Sequence, residues 1–379
     1  FRGKNWRVDW RAIIRPADRE NAQQIERRHE MYLLEEDLKF PKDSFKSMKY
    51  QPYEMKPSFS MVRVYQWWNY WYGEVYISFS GGLDSTVLAY IVCQAYRKYK
   101  LTGKIPLVFA DTGTEFPEIR EFVKTYTEWL KEQFPELDIE LVVIRPKHSF
   151  KWVCENKGFP ITSKDTAGKI RKLRHGKLSE KYRNYLLNGD KRGKFGMLAK
   201  KWQYLTDTEQ MPADISEYCC EALKKEPFKR YVKETGRQPF IGITQDESFR
   251  RENQYNHTGC NVYDGHTIKS QPMGFWPKNE VIQYAVEQRI PICSVYGTPY
   301  QDKKGNWYFT GEQRTGCCVC GFGCHLEPVP NRLQRLRTSD NDKHRRMCEG
   351  CLQIKNHGMT YEQALNYAGI PTEEVQEDE

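Results

Sequence analysis

The residues best suited to chemistry lie in Ser78-Phe79-Ser80-Gly81-Gly82-Leu83-Asp84-Ser85-Thr86. Gly81 and Gly82 can adopt backbone angles closed to other residues, so their N–H groups can turn inward as a nest. Ser85 and Thr86 open the helix expected next, and a helix N-terminus favours an anion. The hydroxyls of Ser78, Ser80, Ser85 and Thr86 are candidate donors to phosphate oxygens, and Asp84 is a candidate to hold Mg²⁺ or to order the loop. A plain tight turn is the competing reading of a Gly-Gly pair; the whole pattern between a strand and a helix favours phosphate. No Gly-Lys-Ser/Thr follows, so this is not a Walker A loop.

A second group is sulfur. The chain has 12 cysteines among 379 residues. In a long chain without a secretory leader they read as metal ligands or redox groups in a reducing compartment, not as a disulfide framework. Cys219-Cys220 and Cys317-Cys318-Val319-Cys320 stand out. Cys317-x-x-Cys320 with Cys348-x-x-Cys351 gives a zinc-ribbon grouping, to which Cys324 and His325 could add, although its intervening stretch is long. Cys260 is an outside candidate ligand. Cys93, Cys154 and Cys293 sit among apolar residues and read as core packing.

Charge is concentrated. The net charge is +9, and residues 164–204 alone hold thirteen Lys and Arg against Asp165, Glu180 and Asp190. Such a field attracts polyanions and makes nucleic acid a candidate partner. A solvated helical insertion is the equal and blander reading. No apolar run approaches the roughly 20 residues of a membrane helix. The first ten residues are charged and aromatic, unlike a secretory leader, so a cytoplasmic location is expected; the start at Phe1 rather than Met weakens that inference.

These groups need a scaffold. Strands are expected over 75–79, 105–110, 139–144 and 239–244, and helices over 84–100, 116–132, 149–156 and 278–288, with Pro117 at a first helical turn. Alternating β and α units imply a parallel sheet with helices on both faces, an α/β fold that binds ligands beyond the carboxyl ends of its strands. An aromatic helix over 58–72 should pack beside the first strand, and a further helix is expected over 19–38. The expected division is an N-terminal helical extension 1–57, a nucleotide-binding α/β domain 58–310 with the basic insertion 164–204, and a Cys-rich module 311–379.

The glycine loop resembles the PP-loop of the adenine nucleotide alpha-hydrolase superfamily, and more narrowly that of the phosphoadenosine phosphosulfate (PAPS) reductase family. Asp111-Thr112-Gly113-Thr114-Glu115-Phe116-Pro117-Glu118 is similar to a second family segment, at the end of the second strand. Gly158-Phe159-Pro160 with Ser163-Lys164 resembles a third. Gly242-Ile243-Thr244 followed by Glu247-Ser248 and Arg250-Arg251, and Pro272-Met273-Gly274-Phe275-Trp276 with Ile290-Pro291 and Tyr296-Gly297, continue the likeness, which spans roughly residues 58–325. The resemblance implies an adenine nucleotide held at the loop, with Asp111 and Gly113 near its sugar or a bound Mg²⁺. Arg250 and Arg251 become candidate phosphate or sulfate clamps, for which guanidinium forks are suited. The Cys-Cys pair (Cys219, Cys220) far upstream of Cys317-x-x-Cys320 resembles the 4Fe-4S ligand pattern of assimilatory adenylyl-sulfate reductases. Zinc remains the alternative metal.

Two departures bear on the reaction. Reductases of the family carry a C-terminal Glu-Cys-Gly-Leu-His motif with the nucleophilic cysteine, where this chain has Glu349-Gly350-Cys351-Leu352. The full Ser-Gly-Gly-x-Asp-Ser loop resembles that of ATP-using relatives: pyrophosphatases and sulfur transferases. The favoured expectation is ATP cleavage between the α and β phosphates, adenylylation of an acceptor, and sulfur transfer, with Asp84, Asp111 and Cys351 as candidate catalytic residues and a sulfur-donor protein as partner. A reductase of adenylyl sulfate or its 3′-phosphate, with a thioredoxin-like partner and Cys351, Cys348 or Cys324 as nucleophile, is the first alternative. A non-catalytic nucleotide- and nucleic-acid-binding module with structural zinc is the second.

Overall fold

The computed structural model describes residues 48–193, 196–244, 249–265 and 267–373; the helix expected over 19–38 lies outside them. Its centre is a six-stranded sheet in the order β3-β2-β1-β5-β7-β6, built from β1 (Val75–Ser78), β2 (Lys104–Ala110), β3 (Asp138–Ile144), β5 (Gln238–Ile241), β6 (Asn261–Val262) and β7 (Lys269–Ser270). All pairings are parallel except β6–β7, an antiparallel edge that the sequence pattern did not suggest. Ile77 of β1 lies in register with Leu107 on one side and Phe240 on the other.

The apolar runs of these strands face helices on both sides, as the expected α/β fold requires. Val75, Ile77 and Phe79 enter the main core with α2 (Leu83–Tyr99) and α3 (Pro117–Gln133). Tyr76 and Val108 point the other way and pack under Tyr231 and Phe228 of α7 (Glu226–Thr235). The period of two along β1 divides the two faces. The aromatic helix α1 (Lys56–Tyr70) forms where expected, but packs on α2 and β7 instead of β1. Trp67, fully buried, stacks near Tyr263 at 5.2 Å and draws α1 to that edge. A buried ion pair, Lys56 to Glu280 at 2.5 Å, fastens the start of α1 to α9 (Lys278–Glu287).

Strand order reverses between β1 and β5, so the crevice beyond their carboxyl ends is the natural ligand position. β5 stops three residues short of its expected end. A Cβ on Gly242 would lie 2.7 Å from Ser85 N, so the chain there passes directly against the start of α2.

The basic insertion is helical: α5 (Lys164–His175) and α6 (Glu180–Asn188) follow α4 (Phe150–Lys157) and the short β4 (Ile161–Thr162). Much of its charge is structural. Arg174 donates to the carbonyls of Leu205, Met211 and Ala213 at 2.5–2.9 Å, and Arg171 forms a two-point pair with Glu217 at 2.6 and 3.1 Å. The Cys-rich C-terminal segment shares the main core. After the hairpin of β8 (Pro299–Gln301) and β9 (Trp307–Phe309), β10 (Gly321–Phe322) pairs in parallel with β4. Gly321 is needed there, since a Cβ would meet Pro160 O at 2.6 Å and the Tyr361 hydroxyl at 2.7 Å. Beyond it lie α10 (Arg332–Arg337) and α11 (Asp342–Leu352). No helix among the described residues is long and apolar enough to cross a membrane.

Candidate functional site

The glycine loop leaves β1 and enters α2 at the switch point. Gly81 has φ +69°, a left-handed angle that a side chain would strain, and a Cβ there would lie 2.9 Å from Val123. Gly82 caps α2 in an extended conformation. Its carbonyl accepts from Ser85 Oγ at 2.9 Å, Thr86 Oγ1 at 3.0 Å and Thr86 N at 3.0 Å. Ser85 and Thr86, expected to donate to phosphate, therefore shape the loop here. Ser80 is exposed, and its hydroxyl lies 3.0 Å from that of Ser85 and accepts from Gly82 N at 3.3 Å. Ser78 ends β1 half-buried, and Asp84 stands half-buried in the first turn of α2.

Two residues outside the loop complete it. The Tyr296 hydroxyl accepts from Leu83 N at 2.9 Å and lies 2.9 Å from Thr315 Oγ1. A Cβ on Gly82 would meet Thr315 Oγ1 at 2.8 Å, so glycine is required by this roof as well as by the turn. Tyr296 falls in a family-like segment of the sequence; Thr315 carried no signal except its place just before Cys317.

Asp111 follows β2, its N–H donating to Ile144 O at 2.9 Å and its carboxylate meeting Arg120 at 2.7 Å and Arg145 at 3.7 Å. Gly113 turns the next loop at φ +85°. Thr112 donates its N–H and hydroxyl to Glu115 at 3.0 and 2.6 Å, holding the segment rigid. Glu118 opens α3 and is bound by His344 Nε2 at 2.9 Å and Asn341 Nδ2 at 2.8 Å. Arg251 lies on α8 (Phe249–Thr258), near the buried Lys269, whose ammonium is disfavoured by burial and by Arg251. The backbone of Arg250 belongs to the same helix; its side chain and Glu247-Ser248 lie outside the described residues.

The segment 315–320 links the loop to sulfur. Cys318 N and Sγ both donate to Thr114 O, at 2.9 and 3.1 Å. Cys219, Cys220, Cys317 and Cys320, far apart in sequence, come into mutual electrostatic reach. Cys219-Cys220 form a short helical turn followed by a π turn, Glu221–Lys225, a wide turn that recurs at functional sites. Charge coupling to Cys317 first, then to Glu115, Cys220 and Cys320, outweighs burial and raises the Lys224 ammonium above its usual range. Within the cysteine pair, the hydrogen bond from Cys219, with Lys164 and Lys224 nearby, outweighs burial and draws Cys220 down as the thiolate partner. Burial, with Cys317 nearby, pushes the Cys351 thiol up to about 11, which leaves it protonated at neutral pH. Cys154 is buried as expected but also neighbours Cys351 and Cys320.

The other thiols are engaged elsewhere. Cys348 is buried and donates to Leu333 O at 3.6 Å; Cys260 contacts the Tyr255 hydroxyl at 3.3 Å; Cys93 and Cys293 belong to the core. Cys324 is buried beside Arg332, and His325 meets the edge of Trp202 at 5.1 Å. Among the described residues no three His, Cys, Asp or Glu side chains gather tightly enough to hold a metal ion.

A mostly parallel sheet, a switch-point crevice and a glycine loop feeding a helix define the class: an α/β protein of PP-loop type. The sequence profile of the phosphoadenosine phosphosulfate reductase domain matches residues 74–211 and 177–311, and the chain belongs to that family. Among solved structures it is similar to phosphoadenylyl-sulfate (PAPS) reductase from Candida auris in a phosphate complex, at 14% identity and a TM-score of 0.35, covering 71% of this chain and 98% of that one. No curated protein matches the sequence.

Proposed function

We propose that the protein binds ATP at the 78–86 loop, adenylylates an acceptor oxygen and directs sulfur to the activated carbon. In the first step the acceptor oxygen forms a bond to the α phosphorus, the α–β bridge breaks and pyrophosphate leaves. In the second, sulfide or the outer sulfur of a persulfide on a donor protein bonds to the activated carbon, the carbon–oxygen bond breaks and AMP leaves; with a persulfide, a second thiol then cleaves the S–S bond that still joins donor and acceptor. The observation that carries this reading is the short path from loop to sulfur: Thr315 roofs Gly82, and Cys317 of the thiol group follows two residues later. The loop N–H groups and the α2 N-terminus would stabilise charge on the transferring phosphoryl group. Asp84 would hold Mg²⁺, and Arg251 of α8 would meet phosphate oxygens. Asp111, engaged by Arg120, would orient the nucleotide and not act as a base.

Cys219, Cys220, Cys317 and Cys320 are soft thiols of the kind that bind a four-iron cluster, and they would be its ligands once drawn together around it. A bound cluster would supply one-electron chemistry at that point. The reducing conditions of the cytoplasm would keep all these thiols available.

Family membership favours a second reading, reduction of adenylyl sulfate or its 3′-phosphate with release of sulfite. Cys351 is its candidate nucleophile, and a thioredoxin-like partner would return the electrons. Anaerobically purified protein, given ATP in one reaction and, in another, adenylyl sulfate or its 3′-phosphate with a dithiol reductant, separates the two. AMP and pyrophosphate from the first support adenylylation; sulfite from the second, with ATP intact, establishes the reductase.

A further inference from the structure

A recess lies beside the thiol group. A cavity of ≈ 740 Å³ opens between α5, α6 and the 218–225 turns, with Lys164, Lys172, Tyr182, Tyr185, Tyr218 and Cys220 among its lining. That volume falls within the range of about 300–1,000 Å³ common for ligand pockets. It is separate from the glycine loop, and Cys220 forms part of its wall.

Its chemistry is specific. The rings of Tyr182 and Tyr185 are near parallel, 18° apart with centroids at 6.1 Å, and the residues are 38% and 36% exposed. A Cβ on Gly196 would fall 2.0 Å from the Tyr185 ring, so the backbone beneath holds that ring in place. Tyr218 is 40% exposed and carries the Arg171 guanidinium at 4.7 Å over one face. The acids of the lining are already matched: Glu217 by Arg171 at 2.6 Å, Asp165 by Lys169 at 2.6 Å, and Glu221 by Lys225 at 3.0 Å. Lys164 lies beside Cys220, and the exposed Lys172 leaves a positive surplus. Aromatic platforms interleaved with lysine recognise flexible strands whose bases can stack while their phosphates meet ammonium groups. Duplexes keep their bases stacked on one another and cannot use such platforms.

We propose that this cleft binds a single-stranded polynucleotide and presents it to the thiol group across Cys220. The inference deepens the adenylylation reading by naming the class of its acceptor, and it rests on that reading only for the word acceptor. The binding itself needs no ATP.

The test is fluorescence anisotropy, without nucleotide, using labelled mixed-sequence single strands of roughly 16 nucleotides, as DNA and as RNA, and the matching duplex. Wild-type protein should bind at least one single strand more tightly than the duplex. Tyr182→Ala should weaken that binding about ten-fold through a lost stacking contact. Lys172→Ala should lower the slope of log affinity against log salt by about 0.7. Lys131→Ala, on α3 and paired with Glu128, should change neither quantity. Unchanged binding in both cleft variants, equal affinity for the duplex, or no binding at low salt overturns the proposal. ATP affinity is measured on the same variants. Its retention shows that the fold and the glycine loop are intact, so failure here is distinguishable from failure of the ATP reading.

Discussion

The Tyr296 hydroxyl accepts a hydrogen bond from Leu83 N at 2.9 Å, joining the loop before β8 to the first turn of α2. That N–H is one of the orphan donors at a helix N-terminus. Tyr296→Phe leaves it buried and unsatisfied, at a cost of about 1–3 kcal/mol. The loss falls on the shape of the phosphate loop. ATP affinity should drop about ten-fold in an equilibrium titration, with the sheet still folded by circular dichroism. Full affinity would mean that the Tyr296 contact is incidental.

The thiol group makes a sharper prediction. Cys317→Ser and Cys320→Ser should each remove bound iron, acid-labile sulfide and visible absorption from anaerobically purified protein. Cys348→Ser should leave all three in place, because that thiol is turned to Leu333 O. Stoichiometric zinc that depends on Cys348 and Cys351 would instead establish the ribbon grouping.

Removing one member of the Lys56–Glu280 pair leaves a charge without its partner. Lys56 is fully buried, so Glu280→Ala should cost about 3–5 kcal/mol in denaturant unfolding. Lys56→Met with Glu280→Gln should recover much of that loss. A near-neutral Glu280→Ala would show that the Lys49 carbonyl, 3.0 Å from the ammonium, suffices alone.

Acid should loosen the C-terminal segment from the nucleotide side. Burial by itself would raise the Glu118 carboxyl, but the hydrogen bonds from His344, its own backbone and Asn341 outweigh it and hold the group below its usual range. A lowered folded-state pKa stabilises above the unfolded value, and that contribution is lost as pH falls through the folded value. Wild-type protein should therefore exceed Glu118→Gln in melting temperature above about pH 5, and the gap should shrink as pH drops below about 4. Parallel melting curves across that window would contradict the assignment.

Much of this was legible in the sequence because its signals are local. The glycine loop, the strand–helix alternation and the Asp111–Glu118 segment each carry their pattern within a dozen residues, and each forms near its expected bounds. The grouping of Cys219-Cys220 with Cys317 and Cys320 was suggested only by resemblance, and the fold brings them within electrostatic reach of one another. Tyr296, Thr315 and Lys224 act through contacts whose partners lie far along the chain, which periodicity does not encode. The β6–β7 edge is only two residues deep on each strand, too short for an alternation signal. The net charge of 164–204 was plain, but the sequence could not show that Arg171 and Arg174 are consumed by Glu217 and by backbone carbonyls.

The central claim is that the loop over 78–86 holds the phosphates of an adenine nucleotide. Calorimetric titration of Mg-ATP into the wild type and into the Asp84→Ala/Ser85→Ala double variant tests it most directly. Loss of two polar contacts, about 3 kcal/mol together, should weaken binding about 100-fold while the circular dichroism spectrum is retained. ATP affinity equal to that of the wild type would contradict the assignment of this loop and, with it, the adenylylation mechanism.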